Sequence, residues 1–261
     1  MKTIILFEFL LVLLQGTSSC SKPSIYQMPV IPIDTTITTP PIDTTVTIPV
    51  DTIPNNPPDT STKTYLALGD SYTIGQSIPA AQNYPNQTVT ILNNNVYHFA
   101  PPEIIAVTGW TTANLLNAIS NKPATTPYDI VTLLIGVNNQ YQGRTKAEYE
   151  TEFTTLLQRS IAYAGDKPSH VVVLSIPDYA VSPFGQGSGI TTYISAQIDS
   201  FNLINKHVSD AYHVNYLDIT GISRQALNNP SLFASDGLHF SGKEYAIWSI
   251  SLAGIIEKVL K

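Results

Sequence analysis

The sequence predicts an α/β domain, a parallel sheet covered by helices on both faces, on three observations. From residue 64 onward, short apolar runs alternate with stretches of helical periodicity. Several of the runs are apolar at every position, as strands buried on both faces must be. Polar and glycine-containing blocks follow the runs, and the C-terminal ends of strands are where open α/β sheets hold ligands.

The predicted strands span residues 65–68, 104–107, 130–135, 171–176 and 214–219. The helices between them carry their own signals. Thr145 and Glu148 read as a capping box ahead of Tyr149, Phe153, Leu156, Leu157, Ile161 and Ala164, which share one helical face. Ile194, Ile198, Phe201 and Val208 mark a second helix. Ser241 and Glu244 read as another capping box, opening a final helix that runs to about Lys258. These apolar stripes are core packing.

Composition narrows the function. Of 261 residues, 43% are hydrophobic and 12% charged, enough for a full core. The net charge of −6 and the lack of any basic run argue against a nucleic-acid partner. A single cysteine, Cys20, excludes an internal disulfide framework and a thiolate zinc site. The five histidines show no metal-ligand spacing, so no metal is expected.

Residues 1–20 read as an export signal, with Lys2 at its start, an apolar stretch over 4–14 interrupted by Glu8, and small residues leading into Cys20. The end of this segment resembles the lipobox of bacterial lipoproteins, in which the cysteine is acylated and becomes the mature N-terminus. Thr17 stands where leucine is usual. The resemblance implies lipidation of Cys20 and a membrane anchor, against an ordinary secretory signal with an incidental cysteine. Residues 21–63 form a Pro/Thr-rich linker with a degenerate repeat: Pro32-Ile33-Asp34-Thr35-Thr36, Pro41-Ile42-Asp43-Thr44-Thr45, Pro49-Val50-Asp51-Thr52-Ile53. Such a composition makes a semi-extended spacer. Its Asp-Thr triplets also resemble O-glycosylation sites of exported Bacteroidetes proteins. Anchor and spacer together predict a domain, residues 64–261, displayed at the periplasmic side of a membrane or at the cell surface.

Four blocks carry the chemistry: Gly69-Asp70-Ser71, Thr108-Gly109-Trp110-Thr111, Gly136-Val137-Asn138-Asn139 and Ser235-Asp236-Gly237-Leu238-His239. Right-handed crossovers bring all strand ends to one sheet edge, where residues distant in sequence meet. Their types suit acyl transfer. Ser71 can attack a carbonyl, His239 can take its proton, and Asp236 can orient the imidazole. The Ser71 and Gly109 amides and the Asn138 side chain can receive an oxyanion. Taken singly, Ser71 reads first as a turn serine and Asp70 as a cap or internal hydrogen-bond partner, with Asn138 a turn asparagine and Gly109 a backbone requirement as the alternatives at those positions; Trp110 reads as packing.

In this order the blocks resemble those of the SGNH hydrolases, or GDSL-type esterases, over essentially all of residues 64–261. The resemblance implies a three-layer α/β/α sandwich around a five-stranded parallel sheet, flavodoxin-like in plan, and cofactor-free ester hydrolysis. Two positions depart from the family pattern: Asn139 replaces the usual aspartate, and Phe240 follows His239 where proline is common. The lipase motif Gly-x-Ser-x-Gly is absent, which disfavours the α/β-hydrolases.

Two segments are candidates for shaping the substrate pocket. Residues 177–190, with Tyr179, Phe184 and three glycines, read as a mobile lid. Residues 139–144, with Tyr141 and Arg144, read as a loop able to hydrogen-bond a sugar or ester head group. Several functions remain open: a carbohydrate deacetylase, a lysophospholipase-like or short-chain lipolytic enzyme, an acyltransferase on the same residues, a silent surface binding module, and an adhesive surface protein.

Overall fold

The computed structural model describes residues 61–261. The predicted signal, Cys20 and the linker up to residue 60 lie outside the described residues. Lys63, at the end of the predicted linker, pairs with the chain at Phe99, its amide donating to His98 O at 2.7 Å.

In chain order the strands are β1 (Tyr65–Gly69), β2 (Glu103–Ala106), β3 (Ile130–Leu134), β4 (Val171–Leu174) and β5 (Asn215–Leu217). The α-helices are α1 (Ser71–Ile74), α2 (Tyr84–Asn94), α3 (Thr112–Ile119), α4 (Val137–Tyr141), α5 (Lys146–Tyr163), α6 (Pro183–Gly187), α7 (Thr191–Ala211), α8 (Thr220–Arg224) and α9 (Gly242–Val259). Every predicted strand is present, each ending one or two residues short of, or past, its expected bound.

The sheet is parallel throughout, in the order β2-β1-β3-β4-β5. From β1 the chain moves outward to β2, and from β2 it steps back past β1 and onward through β3, β4 and β5. Right-handed crossovers therefore place α2 on one face and α3, α5 and α7 on the other. Helix α9 returns to the first face and packs along α2. The central strands are sealed on both sides: Leu66, Ala67, Leu68, Ile130, Val131 and Leu133 have no exposed surface. Polar residues collect on the edges, at Glu103 of β2 and Asn215 of β5.

The topology also fixes where a ligand belongs. The connection leaving β1 runs to one side and that leaving β3 to the other, so a crevice opens between their C-terminal ends. Those ends carry Asp70-Ser71 and Gly136-Val137-Asn138.

Both expected capping boxes differ. The Thr145 hydroxyl accepts from the Glu148 amide as predicted, but the Glu148 carboxylate pairs with Arg144 at 3.1 Å. At α9 the capping box is not formed. The Ser241 hydroxyl donates instead to Ser231 O at 2.8 Å, and Glu244 turns inward to accept from Trp248 Nε1 at 3.0 Å. Ser231, outside the helix, and Trp248, one turn along it, take the side chains that would have formed the cap.

Candidate active site

Gly69 closes β1 where nothing larger fits. A Cβ there would lie 2.0 Å from Thr73 Oγ1 and 2.4 Å from Leu134 O. The chain then turns sharply into α1, whose first residue is Ser71. Asp70 caps this turn, its Oδ1 accepting from the Tyr72 amide at 3.0 Å. Burial pushes the Asp70 carboxyl up to about 7, against the lowering effect of the Tyr72 and Gly136 amides.

Beyond the turn lies a cavity of about 240 Å³. Ser71, Gly109, Asn138 and His239 meet around it, from four separate blocks of the chain. Apart from Thr108, its remaining wall is apolar and aromatic: Tyr72, Val137, Tyr141, Tyr179, Phe184 and Leu238. The Tyr141 ring stands edge-on to Tyr179 at 6.2 Å and tilted against Phe184 at 6.5 Å.

The acid–base block is organised around one carboxylate. Asp236 Oδ2 faces His239 Nδ1 at 2.7 Å. Asp236 Oδ1 accepts from the Leu238 and His239 amides, both at 2.9 Å. Gly237 turns the chain between them in the left-handed region, at φ +68°. Burial acts to raise the Asp236 carboxyl. The bonds from Ser77, the two amides and the imidazole outweigh it and hold the group well below its ordinary value. The His239 ring rests edge-on against Tyr72 at 5.5 Å. Phe240 is fully buried beneath it, against Tyr72, Phe233 and Trp248. The residue that departs from the family's proline thus belongs to the floor of the site.

Gly109 adopts φ +84°, and a Cβ there would meet no atom within 4 Å. Backbone conformation rather than crowding demands this glycine. The Asn138 side chain donates to Trp110 O at 2.9 Å, tying the β3 end to the β2 end. Trp110 is half-buried against the core, in keeping with a packing role.

The expected loop over residues 139–144 begins as helix: α4 carries Asn138, Asn139, Gln140 and Tyr141. Asn139 is buried and bonded to Thr112, and Arg144 is engaged with Glu148. Of this segment Tyr141 reaches the cavity. The lid expected over residues 177–190 is largely a fixed wall. Asp178 is buried and bonded by Ser195, Arg224 and the Ala180 amide. Ser182 caps α6, and the Phe184 amide donates to Gly237 O at 2.8 Å. Gly185 is present because a Cβ would lie 2.1 Å from Tyr179 O. Exposed glycines remain at 187 and 189.

Sequence reasoning missed Ser77, whose Oγ donates to Asp236 Oδ2 at 2.6 Å, and Gln76, whose Oε1 accepts from Thr108 Oγ1 at 2.6 Å. Gly75 is the one local signal near them: a helix-ending glycine that turns the chain back toward the site.

Residues 67–247 match the GDSL-like lipase/acylhydrolase family. A search of curated proteins returns no match. Among solved structures, a lipase/acylhydrolase from Enterococcus faecalis superposes with a TM-score of 0.61 at 17% identity, covering 76% of this chain and 96% of its own. The acetylxylan esterase Axe2 from Geobacillus stearothermophilus gives 0.58 at 16% identity, with 76% and 95% covered. The carbohydrate acetylesterase Est24 from Sinorhizobium meliloti gives 0.57 at 18% identity, with 76% and 100% covered. At these identities the structural likeness establishes the fold. The family match spans more than two thirds of the sequence. The chain belongs to the GDSL-like lipase/acylhydrolase family, the SGNH hydrolases.

Proposed function

We propose that this protein is a serine esterase that cleaves carboxylic esters with Ser71, His239 and Asp236. The observation that carries the reading is the 2.7 Å contact between His239 Nδ1 and Asp236 Oδ2, at a cavity that also holds Ser71. His239 takes the Ser71 hydroxyl proton as Oγ attacks the ester carbonyl. Negative charge on the carbonyl oxygen is received by the Ser71 and Gly109 amides and the Asn138 side chain. The intermediate collapses, the alcohol leaves with the proton from His239, and the acyl group stays on Ser71. Water then repeats the attack, giving up a proton to His239 and releasing the acid. Asp236 holds the imidazole tautomer and stabilises the imidazolium throughout. The chain's own residues supply every group these steps require.

The aromatic wall supports a substrate whose acyl group is larger than acetyl, since acetyl would leave most of a 240 Å³ cavity unfilled. Tyr141, Tyr179 and Phe184 are the contacts for that group. Deacetylation of polysaccharides is the second reading, favoured by the fold likeness to two acetylesterases. Lipidation at Cys20 and display of the domain on its linker at a membrane belong to the same proposal.

The test is hydrolysis of p-nitrophenyl esters from acetate to palmitate by the domain from residue 64 onward, beside Ser71→Ala. Activity lost in the variant and peaking at short-to-medium chains is the expected result. A peak at acetate selects the deacetylase, and a peak at long chains a lipolytic enzyme. Equal rates in wild type and variant, with no labelling of Ser71 by an organophosphonate, would overturn the reading in favour of a binding module.

A further inference from the structure

We infer that Ser77 is a positioning residue of this site, sharing Asp236 Oδ2 with His239 and thereby setting how strongly the carboxylate holds the imidazole. The inference rests on the serine-esterase reading and adds a residue to it.

Four observations converge. The Ser77 hydroxyl reaches across 159 positions of sequence to Asp236 Oδ2 at 2.6 Å, the same oxygen that faces His239 Nδ1 at 2.7 Å. Ser77 is held at φ +67°, a left-handed conformation that serine adopts only against a steric cost. Glycine would fit that backbone without strain, and the hydroxyl is what serine adds there. The chain reaches it by doubling back on the nucleophile: the Gly75 and Gln76 amides both donate to Ser71 O, at 3.1 and 3.0 Å. Gln76, beside it, is bonded to Thr108, the neighbour of Gly109. One short segment after α1 therefore links the nucleophile, the oxyanion block and the acid.

Electrostatics gives Ser77 a defined effect. A carboxylate oxygen that accepts two hydrogen bonds divides its charge between them. Without the hydroxyl, Asp236 Oδ2 is left to His239 alone and holds the imidazolium formed during the reaction more tightly. Other titratable groups around this pair are Tyr72, packed against His239, with Tyr245, Asp70 and Asp178 behind it. None of them bonds Asp236 Oδ2.

The experiment compares wild type, Ser77→Ala and Ser77→Gly in kcat/KM and in the rate of Ser71 phosphonylation, each across pH 5–9. Both variants should lose about two- to threefold at pH 7, and their acidic limbs should move to higher pH, so that much of the loss is recovered at high pH. Gln76→Ala, which spares Asp236, should lower the rate without moving the limb. A uniform loss across pH, or wild-type behaviour in Ser77→Gly, would overturn the role of the hydroxyl. Phosphonylation needs no knowledge of the substrate. Absence of labelling in the wild type would sink the esterase reading and this inference with it. Labelling of wild type and both variants at equal rates would sink the inference alone.

Discussion

Asn139 grips Thr112 by both ends of its amide: Oδ1 accepts from the Thr112 amide at 3.0 Å, and Nδ2 donates to the Thr112 hydroxyl at 2.6 Å. The hydroxyl in turn donates to Glu152. This chain joins α4 to the N-terminus of α3 and to α5, behind Gly109 and Asn138. It also accounts for an asparagine where the family usually has aspartate. Glu152 already supplies the carboxylate, and Thr112 has one proton to give.

The first prediction follows directly. Asn139→Asp places a second carboxylate on a hydroxyl that can satisfy only one. It should destabilise the fold by about 1–3 kcal/mol at pH 8. The loss should shrink at pH 4–5, where a protonated carboxyl can donate. Thermal melts of wild type and variant at both values check this. An equal loss at both would place the fault in shape rather than charge.

Burial governs a second pH effect. Asp70 is raised to about 7 from its ordinary value near 4, so between those values the folded chain keeps a proton that the unfolded chain has lost. Its stability contribution is complete below about pH 4 and declines as pH rises toward 7. Asp70→Asn keeps an oxygen for the Tyr72 amide and removes the titration. Its melting temperature should match wild type near pH 4 and exceed it at pH 8, by at most about 4 kcal/mol in free energy. Glu244, also raised to about 7 by burial, acts in the same window, and Glu244→Gln should show the same direction.

Phe240 forms the floor beneath His239, through Tyr72. Phe240→Ala should cost about 3–5 kcal/mol, as for other buried phenylalanines. It should also lower kcat/KM beyond the loss of folded protein, because Tyr72 loses its support. Chemical denaturation and active-site titration on the folded fraction separate the two effects. An unchanged rate per folded molecule would remove Phe240 from the site.

Tyr141 tests the aromatic wall. Tyr141 is 62% exposed, so Tyr141→Ala should change stability by less than about 0.5 kcal/mol. It should lower kcat/KM for butyrate and hexanoate esters several-fold and leave acetate nearly unchanged. The same factor on every chain length would place Tyr141 outside acyl selection.

The strands, the long helices and the four blocks at the strand ends are legible in the chain before it folds. These are local or periodic signals: an apolar run sealed on both faces, a stripe at helical spacing, a glycine where a Cβ would strike the next turn. Gly69-Asp70-Ser71 and Asp236-Gly237-Leu238-His239 are such signals, each set within a single turn of chain. Tertiary structure decided what depended on a partner far away. Ser241 and Glu244 have the spacing of a capping box, yet Ser231, outside the helix, claims the Ser241 hydroxyl. Residues 177–190 have the glycines of a lid, yet Asp178, Ser182 and Gly237 fasten them as a wall. Ser77 carries no local mark, because a serine in a left-handed turn is unfavourable until Asp236 arrives to bind it. A hydrogen bond between distant residues depends on the position of both, and those positions exist only once the sheet has assembled and brought its strand ends together.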